Sequence, residues 1–384
     1  MRVAIVGMGF TPLRPLSPEV SYKELVYETA VKAYNECGVN PRKDVDTFVT
    51  CAEDYIEGTS IFDEYTPDQL GGALKPNHTL TQDGLQGIIA ASLQIMTGNF
   101  QIAVVEAHVK SSNILTPDGV ALCALDPIYI RPLNLNPYFI AGLEYDRFLR
   151  ANLIESFECG NVVVKNKRNA LRNPYACYGE NITIDDYLSS EPVSLPLLSA
   201  DISQPADGCG VFVLASEKVA ESLTKKPIWI TGFGWNSGSP NLETRDWVCL
   251  SYIEKAAKMA YQMAGIKNPY FELDFAEIDD TFSYKELQHL EALGIISDGN
   301  VFARLKEGVF HPEGEFPVNP SGGSLGMGYL YEACGLLRLF VACLQLRKEA
   351  GPFQLPKAEK ALVHSWRGLP TQSTACVIVS TERG

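Results

Sequence analysis

An internal repeat constrains this chain more than any other feature of its sequence. The apolar residues 3–10 resemble residues 228–235, and both stretches contain a Gly-x-Gly step. Each is followed by an amphipathic pattern that ends at a glycine, Gly38 in the first copy and Gly265 in the second, with a proline shortly after. Glycine favours the left-handed helix C-cap and proline prevents continuation. We therefore predict a strand followed by a helix at the start of each half.

A second pair of matching segments lies further along the chain. Gly84 and Gly335 are each followed by Leu, and each precedes a Leu-Gln pair by nine and ten residues. Two matching pairs in the same order indicate a duplicated α/β unit. In a pseudo-twofold fold, the two helices that start here would pack as a central pair. Their N-termini carry unsatisfied N–H groups that suit an oxyanion or a thioester oxygen, so we predict a site there.

About 85 residues, 111–195, interrupt the duplication and are rich in proline, asparagine and aromatic residues. An insertion of this length in an α/β domain is more often a lid or binding loop than a linker. We predict an N-terminal half formed by residues 1–110 with 196–227, an inserted loop domain at 111–195, and a C-terminal half at 228–384.

Charge excludes some classes of function. The chain has 46 acidic and 32 basic residues and a net charge of −14, so an extended phosphate-binding surface for nucleic acid is not expected. No apolar run reaches the length that spans a bilayer. The ten cysteines include no pair with zinc or redox spacing, and no secretory signal precedes the first strand. We expect a reduced, cytoplasmic protein with neither a nucleic-acid partner nor a membrane span.

Several ordered motifs resemble the thiolase superfamily, most of all its sterol-carrier-type and archaeal members. The motifs are NPSGG at 319–323, NALRNP at 169–174, PADGCG at 205–210 and DTFSYKE at 280–286. The resemblance covers nearly the whole chain. It implies an α/β thiolase fold in which two duplicated βαβαβαββ halves form five αβαβα layers with a loop-domain insertion. It also implies a coenzyme A thioester as substrate and no covalently bound cofactor.

The catalytic positions depart from the family pattern. Thiolases resembling this chain place a nucleophilic Cys in C-A-S-G, where this sequence has Thr81, and a His in G-H-P, where it has Tyr329. The His of H-D-C-F becomes Asp279, and the C-terminal glycine loop becomes a stretch that starts at His364. Threonine is a weak nucleophile without an activating base, and a helix N-cap is its ordinary role. Conventional thiolysis through a cysteine is therefore not expected.

Tyr329 gives a partial match to a second branch, the cysteine-free thiolase-like aldolases. Retro-aldol cleavage needs a base for the β-hydroxyl proton and a stabilised thioester enolate, but no covalent nucleophile. In this interpretation Tyr329 contacts the hydroxyl, and Asp279 or His364 acts as the base. The alternative is that Tyr329 is an ordinary packed tyrosine.

Two further groups of residues complete the predicted site. The first group lines the substrate pocket near the central helices; its members are Gly322, Gly323, Asn319, Tyr331, Glu332, Asp83 and His108. The second group is the most basic stretch of the chain and is predicted to bind coenzyme A; its members are Lys165, Lys167, Arg168 and Arg172. Helix capping remains an alternative for Asp83, and a solvated helix face for the basic stretch. No metal site is predicted.

Three functions remain open from the sequence. The first is an enzyme that makes or breaks the carbon–carbon bond beside a CoA thioester, with retro-aldol chemistry favoured. The second is an acetyl-CoA acetyltransferase or related acyltransferase with a non-standard nucleophile, and the third is a non-catalytic thiolase-like scaffold subunit. The resemblance further implies a homodimer and a separate small partner protein with a zinc ribbon and an OB-fold.

Overall fold

The computed structural model of the protein describes residues 2–53, 62–114, 119, 122–135, 137–297, 299–369 and 371–383. It contains eleven strands within these ranges. Nine of them form one mixed sheet, and β5 and β6 form a separate two-stranded sheet. The strands are β1 Val3–Phe10, β2 Thr47–Cys51, β3 Asn77–Leu80, β4 Ile102–Lys110, β5 Pro192–Ser194, β6 Leu197–Leu198, β7 Asp207–Ser216, β8 Ile228–Ser237, β9 Phe275–Glu277, β10 Lys360–Gly368 and β11 Gln372–Ser380.

The order of the strands confirms the duplication predicted from the sequence. The sheet runs β3-β2-β4-β7-β1 through the first half and β8-β11-β10-β9 through the second. Val318 bridges to Ala276 of β9 in parallel, so it takes the edge position that β3 has in the first half. In both halves the last strand, β7 or β11, is antiparallel to its two neighbours. The halves meet where β1 pairs antiparallel with β8.

Seven helices of ten or more residues surround the sheet in the described part of the chain. They are α1 Tyr22–Cys37, α2 Gly84–Met96, α3 Pro137–Asn152, α4 Ser156–Ala170, α5 Ser251–Ala264, α6 Ser283–Ala292 and α7 Cys334–Arg347. The shorter helices are Pro41–Asp44, Phe62–Tyr65, Pro67–Leu70, Ile184–Leu188, Ala220–Leu223, Pro269–Glu272, Val301–Lys306 and Gly323–Met327. No helix of these described ranges is long and apolar enough to cross a membrane.

Three apolar clusters divide the protein into five layers. One cluster joins α1 to the outer face of the first half of the sheet. The central cluster surrounds α2 and α7, which lie between the two halves of the sheet. The third joins the outer face of the second half to α5, α6 and the inserted helices. Successive strand residues alternate between clusters, as Ala361, Leu362 and Val363 do on β10, because neighbouring side chains point to opposite faces. The five-layer αβαβα thiolase fold is therefore confirmed.

The repeated Gly-x-Gly steps hold helix and strand together. A Cβ atom on Gly9 would lie 2.3 Å from the carbonyl oxygen of Thr29 in α1, and one on Gly234 would lie 2.1 Å from that of Ala256 in α5. Any side chain at either position would force the helix away from the strand. The step thus serves close helix packing in both halves, and β1 continues through it with a shift in its register to β7 between Ile5 and Gly7.

The insertion packs on the second half through a buried ionic cluster. The carboxylate of Glu144 in α3 accepts a hydrogen bond from the hydroxyl of Tyr284 at 2.8 Å and lies 2.8 Å from the ammonium of Lys285. Its other oxygen lies 3.1 Å from Arg245. These charges are fully buried, so removing one would leave the others uncompensated. The three domain boundaries themselves stay a prediction.

Candidate functional site

The N-termini of the two central helices meet at the carboxylate of Asp83. Its Oδ1 accepts a hydrogen bond from the N–H of Leu85 at 2.8 Å, and its Oδ2 accepts one from the N–H of Gly335 at 2.9 Å. Asp83 is buried and is the N-cap of α2. Burial raises the pKa of Asp83, while these two N–H groups and the nearby Arg338 oppose that rise. The meeting point predicted for an oxyanion thus contains a carboxylate of the protein.

Thr81 lies outside this meeting point and is exposed. The helix cap that we considered for Thr81 is made by Asp83 instead. Within the described residues no side chain hydrogen-bonds to the Thr81 hydroxyl, so no base there activates it. Its nucleophilic role therefore gains no support from the geometry.

Tyr329 stands at the head of α7 in the position predicted for it. Its N–H donates to the carbonyl oxygen of Gln204 at 2.7 Å, and its own carbonyl oxygen accepts from the N–H of Ala206 at 3.0 Å. The half-buried ring lies 4.8 Å from the ring of Tyr331 between centroids. Tyr331 has φ +45°, a conformation that is costly for an aromatic residue and is found where surrounding structure enforces it.

The Tyr329 side chain is half-buried. In the described part of the chain, its hydroxyl has no hydrogen-bond partner. Burial raises the pKa of Tyr329 well above its usual range, and the positive charge of Arg367 opposes that rise. The hydroxyl is therefore a neutral phenol at physiological pH and acts as a hydrogen-bond donor.

Arg367 joins two carboxylates beside the tyrosines. Its Nη2 contacts Glu53 and lies 3.4 Å from Oε1 of Glu332, which is buried. Nη1 of Arg367 is buried and has no hydrogen-bond partner among the described residues. A buried donor without a partner is costly, and such groups are usual where a ligand or water completes the site.

Behind the tyrosines lies a second charged cluster around Arg338 of α7. Its Nη2 is 2.8 Å from Oδ2 of Asp279 and donates to the hydroxyl of Ser324 at 2.7 Å. The N–H of Asp279 donates to Nδ1 of His364 at 3.4 Å, and Nε2 of His364 is 3.0 Å from the hydroxyl of Thr374. Burial and the charge of Arg338 hold the pKa of His364 well below its usual range.

This arrangement removes His364 as a base. Both of its ring nitrogens have partners, and the ring is buried and neutral. Asp279 is also fully buried, with Oδ1 accepting from the N–H of Thr281 at 3.0 Å and Oδ2 beside Arg338. His364 and Asp279 therefore orient one another and Arg338, and neither side chain is exposed to a substrate.

Three predicted substrate-binding positions instead hold the loop before α7. A Cβ atom on Gly323 would lie 2.0 Å from the carboxylate of Asp280, and one on Gly322 would lie 2.6 Å from Ala170. The amide of Asn319 donates to Glu286 at 2.7 Å and accepts from the N–H of Ile278 at 2.8 Å. All three are buried and shape the loop, and their contact with a substrate stays a prediction.

Comparisons with known proteins point to thiolases. Residues 236–381 match the family model described as thiolase C-terminal domain-like. An acetyl-CoA acetyltransferase of Methanothermobacter thermautotrophicus is 25% identical over 383 residues, which is 98% of each chain. The benzoylsuccinyl-CoA thiolase subunit BbsB of Thauera aromatica is 31% identical over 205 residues, 53% of each chain. The chain is similar in sequence to enzymes of the thiolase superfamily.

One solved structure extends the comparison of the fold. The Ltp2-ChsH2(DUF35) aldolase superposes with a TM-score of 0.85 and 23% identity, covering 100% of this chain and 98% of that chain. At this identity the likeness establishes the thiolase fold, in agreement with the strand order and the five layers described above.

The prediction for the basic stretch needs one correction. Lys165 is buried, and its ammonium lies 3.0 Å from Glu286 and donates to the carbonyl oxygen of Val318 at 2.8 Å. It therefore cannot bind coenzyme A phosphates at the surface. Lys167 is largely covered and paired with Glu180, while Arg168 and Arg172 are exposed. For these three, binding to coenzyme A stays a prediction.

His108 needs a second correction. It is buried on β4, with Nδ1 2.7 Å from the carboxylate of Glu106 and its ring stacked on Tyr22 of α1 at 5.4 Å. Phe62 packs against the same ring at 5.3 Å. His108 therefore points to the outer layer of the first half, away from the central helices, and does not line the predicted pocket.

Sequence reasoning missed Arg338 and Arg367. A signal for Arg338 was present, because it is the single charge between Glu332 and Arg347 in an otherwise apolar helix. A charge in such a helix is expected to be paired and to mark a polar site. For Arg367 the sequence contains no such signal of a paired charge, since its two carboxylate partners, Glu53 and Glu332, are distant in the sequence.

Proposed function

We propose that the protein acts on a coenzyme A thioester and makes or breaks the carbon–carbon bond beside the thioester, with retro-aldol cleavage as the preferred reaction. One observation supports this most. At the head of α7, the hydroxyl of Tyr329 has no hydrogen-bond partner among the described residues, whereas the meeting point of the central helices holds the carboxylate of Asp83.

The chemistry assigns a separate role to each group beside Tyr329. A base removes the proton of the β-hydroxyl, the carbon–carbon bond breaks, and its electron pair forms the enolate of the shorter acyl-CoA. Glu332, held by Arg367, is the base in this proposal. Tyr329 donates to the thioester oxygen as the enolate forms, because its raised pKa keeps the phenol protonated. The proton taken by Glu332 then returns to the α-carbon, so the reaction needs no other reagent.

Acyl transfer is the second candidate, and the names of the relatives favour it. The relative matched over 98% of both chains is named an acetyl-CoA acetyltransferase. In that case a group of this chain becomes covalently acylated during turnover. A non-catalytic scaffold remains the third candidate and predicts no turnover with any CoA thioester.

One experiment separates these functions. Purified protein is mixed with a β-hydroxyacyl-CoA, and the carbonyl product and shortened acyl-CoA are quantified while the intact protein is weighed by mass spectrometry. Retro-aldol cleavage gives both products and no adduct, whereas acyl transfer gives a protein adduct.

Tyr329→Phe is the decisive variant, with Tyr331→Phe as the matched control. Loss of a positioned proton donor is expected to lower kcat on the order of 10²–10⁴-fold. Wild-type kcat in Tyr329→Phe would remove Tyr329 from the reaction. Equal losses in both variants would indicate that the aromatic pair matters only for packing.

We extend the proposal to assembly. A homodimer and a separate small zinc-ribbon and OB-fold subunit are expected, and the latter would complete coenzyme A binding beside Arg168 and Arg172. Light scattering of the purified protein measures the first. The second predicts that acyl-CoA binds more tightly when such a subunit is present, and equal affinity with and without it would contradict that expectation.

A further inference from the structure

The duplicated halves fill one pair of equivalent places in different ways. In one of them Glu36, near the end of α1, accepts a hydrogen bond from the N–H of Met8 at 2.5 Å. The other carboxylate oxygen of Glu36 lies 2.6 Å from Nη1 of Arg347, the last residue of α7. Arg347 is buried there. An ion pair therefore fills the space between α1, α7 and β1.

Apolar residues occupy the other place. The residues that the repeat aligns are Met263 with Glu36, Met96 with Arg347 and Phe233 with Met8. The backbone is equivalent as well. Strand β1 shifts its register to β7 directly before Gly7, and β8 shifts its register to β11 directly before Gly232, which is the residue aligned with Gly7. Each charged side chain of the ion pair is thus replaced by a methionine thioether on the same framework.

A cavity of about 260 Å³ opens at this second place. Its apolar lining consists of Val3, Met96, Ile230, Phe233, Met263 and Ala264. Methionine side chains are flexible and polarizable, so they adapt to apolar ligands of different shapes. The volume equals that of about nine water molecules in the liquid, which is also the size of a saturated chain of about eight carbon atoms. The cavity therefore fits a hydrocarbon chain of medium length.

Two exposed arginines, Arg2 and Arg383, also line the cavity. Arg383 is paired, with Nη2 2.7 Å from Glu217 and Nη1 3.7 Å from Glu221. The hydrogen bond from Arg383 lowers the pKa of Glu217, and the more distant Arg2 adds to that effect. Within the described residues, however, no carboxylate lies at ion-pair distance from Arg2. Apolar walls beside such a cation suit a ligand with a hydrocarbon chain and a carboxylate.

We propose that this cavity binds a medium-chain carboxylate, with the hydrocarbon chain between Met96 and Met263 and the carboxylate beside Arg2. The cavity is separate from the candidate functional site. Met96 is the last residue of α2, whereas Asp83 is the N-cap of the same helix, so the two lie about 20 Å apart along the helix axis. The inference therefore does not rest on the proposed function.

The first test fills the cavity with the ion pair of its counterpart, in the double variant Met96→Arg with Met263→Glu. Isothermal titration calorimetry measures the binding of sodium butanoate, hexanoate and octanoate. In the wild type we expect each added methylene to tighten binding about fourfold. The double variant should bind octanoate at least about 10-fold more weakly, because several methylenes lose their apolar contacts.

Three results of this titration would overturn the proposal. Equal affinity in both proteins would show that octanoate binds elsewhere on the chain. Affinity that does not depend on chain length would remove the apolar cavity from the interaction, and no binding to the wild type would remove the site altogether. If the double variant does not fold, Met263→Trp fills the same space without adding a charge and is compared in its place.

The second test concerns the charged end of the ligand. Octanoate and 1-octanol share the hydrocarbon chain and differ in the carboxylate. At low salt we expect the wild type to bind octanoate about two- to fivefold more tightly than octanol, which is the size of an exposed ion pair, and Arg2→Gln to bind the two equally. A wild type without this preference, or an Arg2→Gln variant that keeps it, would overturn the contact between the carboxylate and Arg2.

Discussion

Glu277 gives the sharpest test of the electrostatics behind the site. It is fully buried at the end of β9, where its Oε2 accepts from the hydroxyl of Ser321 at 2.6 Å and its Oε1 from the N–H of Ser321 at 3.2 Å. Burial raises the pKa of Glu277 from 4.5 to about 8, although Ser321 and Arg338 oppose the rise. The perturbation is Glu277→Gln, which keeps the shape and can hydrogen-bond to the same serine.

The sign and size follow from the difference in proton binding between the folded and unfolded chains. The folded pKa lies above the unfolded one, so the folded protein holds this proton more tightly. The resulting stabilisation is complete below pH 4.5 and is lost as the pH rises through 8. The loss is about 1.4 kcal/mol per pH unit inside that window, or about 3 kcal/mol between pH 5.5 and 8.5. Glu277→Gln has no such proton, so its stability does not fall for this reason.

The assay is urea denaturation of both proteins at several pH values from 5.5 to 8.5. We expect the wild type to lose about 3 kcal/mol of unfolding free energy relative to Glu277→Gln across that range. Asp280, whose pKa burial raises to about 7, titrates in both proteins, so its contribution largely cancels in the difference. The exposed Glu313→Gln serves as the control and should follow wild type. Parallel curves for wild type and Glu277→Gln would refute the reasoning.

Three other predictions concern buried groups. Arg338→Leu should lower the unfolding free energy by about 3–5 kcal/mol in urea denaturation, because it strands the buried carboxylates beside it. Lys165→Met should lower the unfolding free energy by a similar amount and leave the dissociation constant of acyl-CoA unchanged. Arg168→Gln should leave the unfolding free energy unchanged and weaken acyl-CoA binding if the surface stretch binds coenzyme A. Gly323→Ala should lower Tm, because its Cβ would meet Asp280 at 2.0 Å and its φ is +57°. Unchanged stability in any of the three buried variants would contradict the packing described here.

The fold could be predicted largely because its signals are local and occur twice. The glycines that end α1 and α5 are in the left-handed conformation, with φ of +69° at Gly38 and +71° at Gly265. The sequence also predicted the helices that begin near Gly84 and Gly335. What it could not predict was the edge position taken by Val318, because a single bridging residue leaves no strand pattern.

The site was predicted less well, because its chemistry depends on which face of each element is covered. Lys165 belongs to a basic stretch in sequence, but helix α4 turns it toward Glu286 while Arg168 faces solvent. Because side chains alternate along a strand, His108 lies on the same face of β4 as Glu106. In the structure this face of the sheet is turned toward the outer helix layer and away from the central helices. The roles of Asp83 and Arg338 come from contacts between segments hundreds of residues apart or on different layers, which spacing alone cannot reveal.

The pairing of β1 with β8 has a consequence for how such a chain can arise and be divided. The register joins Val3 to Ile230, Ala4 to Trp229 and Ile5 to Ile228, so it is symmetric about the Ala4–Trp229 pair. A polypeptide that ended before β8 would expose β1 as an open edge whose natural complement is the same strand of a second copy. The present single chain therefore has the geometry of an isologous dimer made permanent by fusion, and expression of either half alone should yield self-association through that edge.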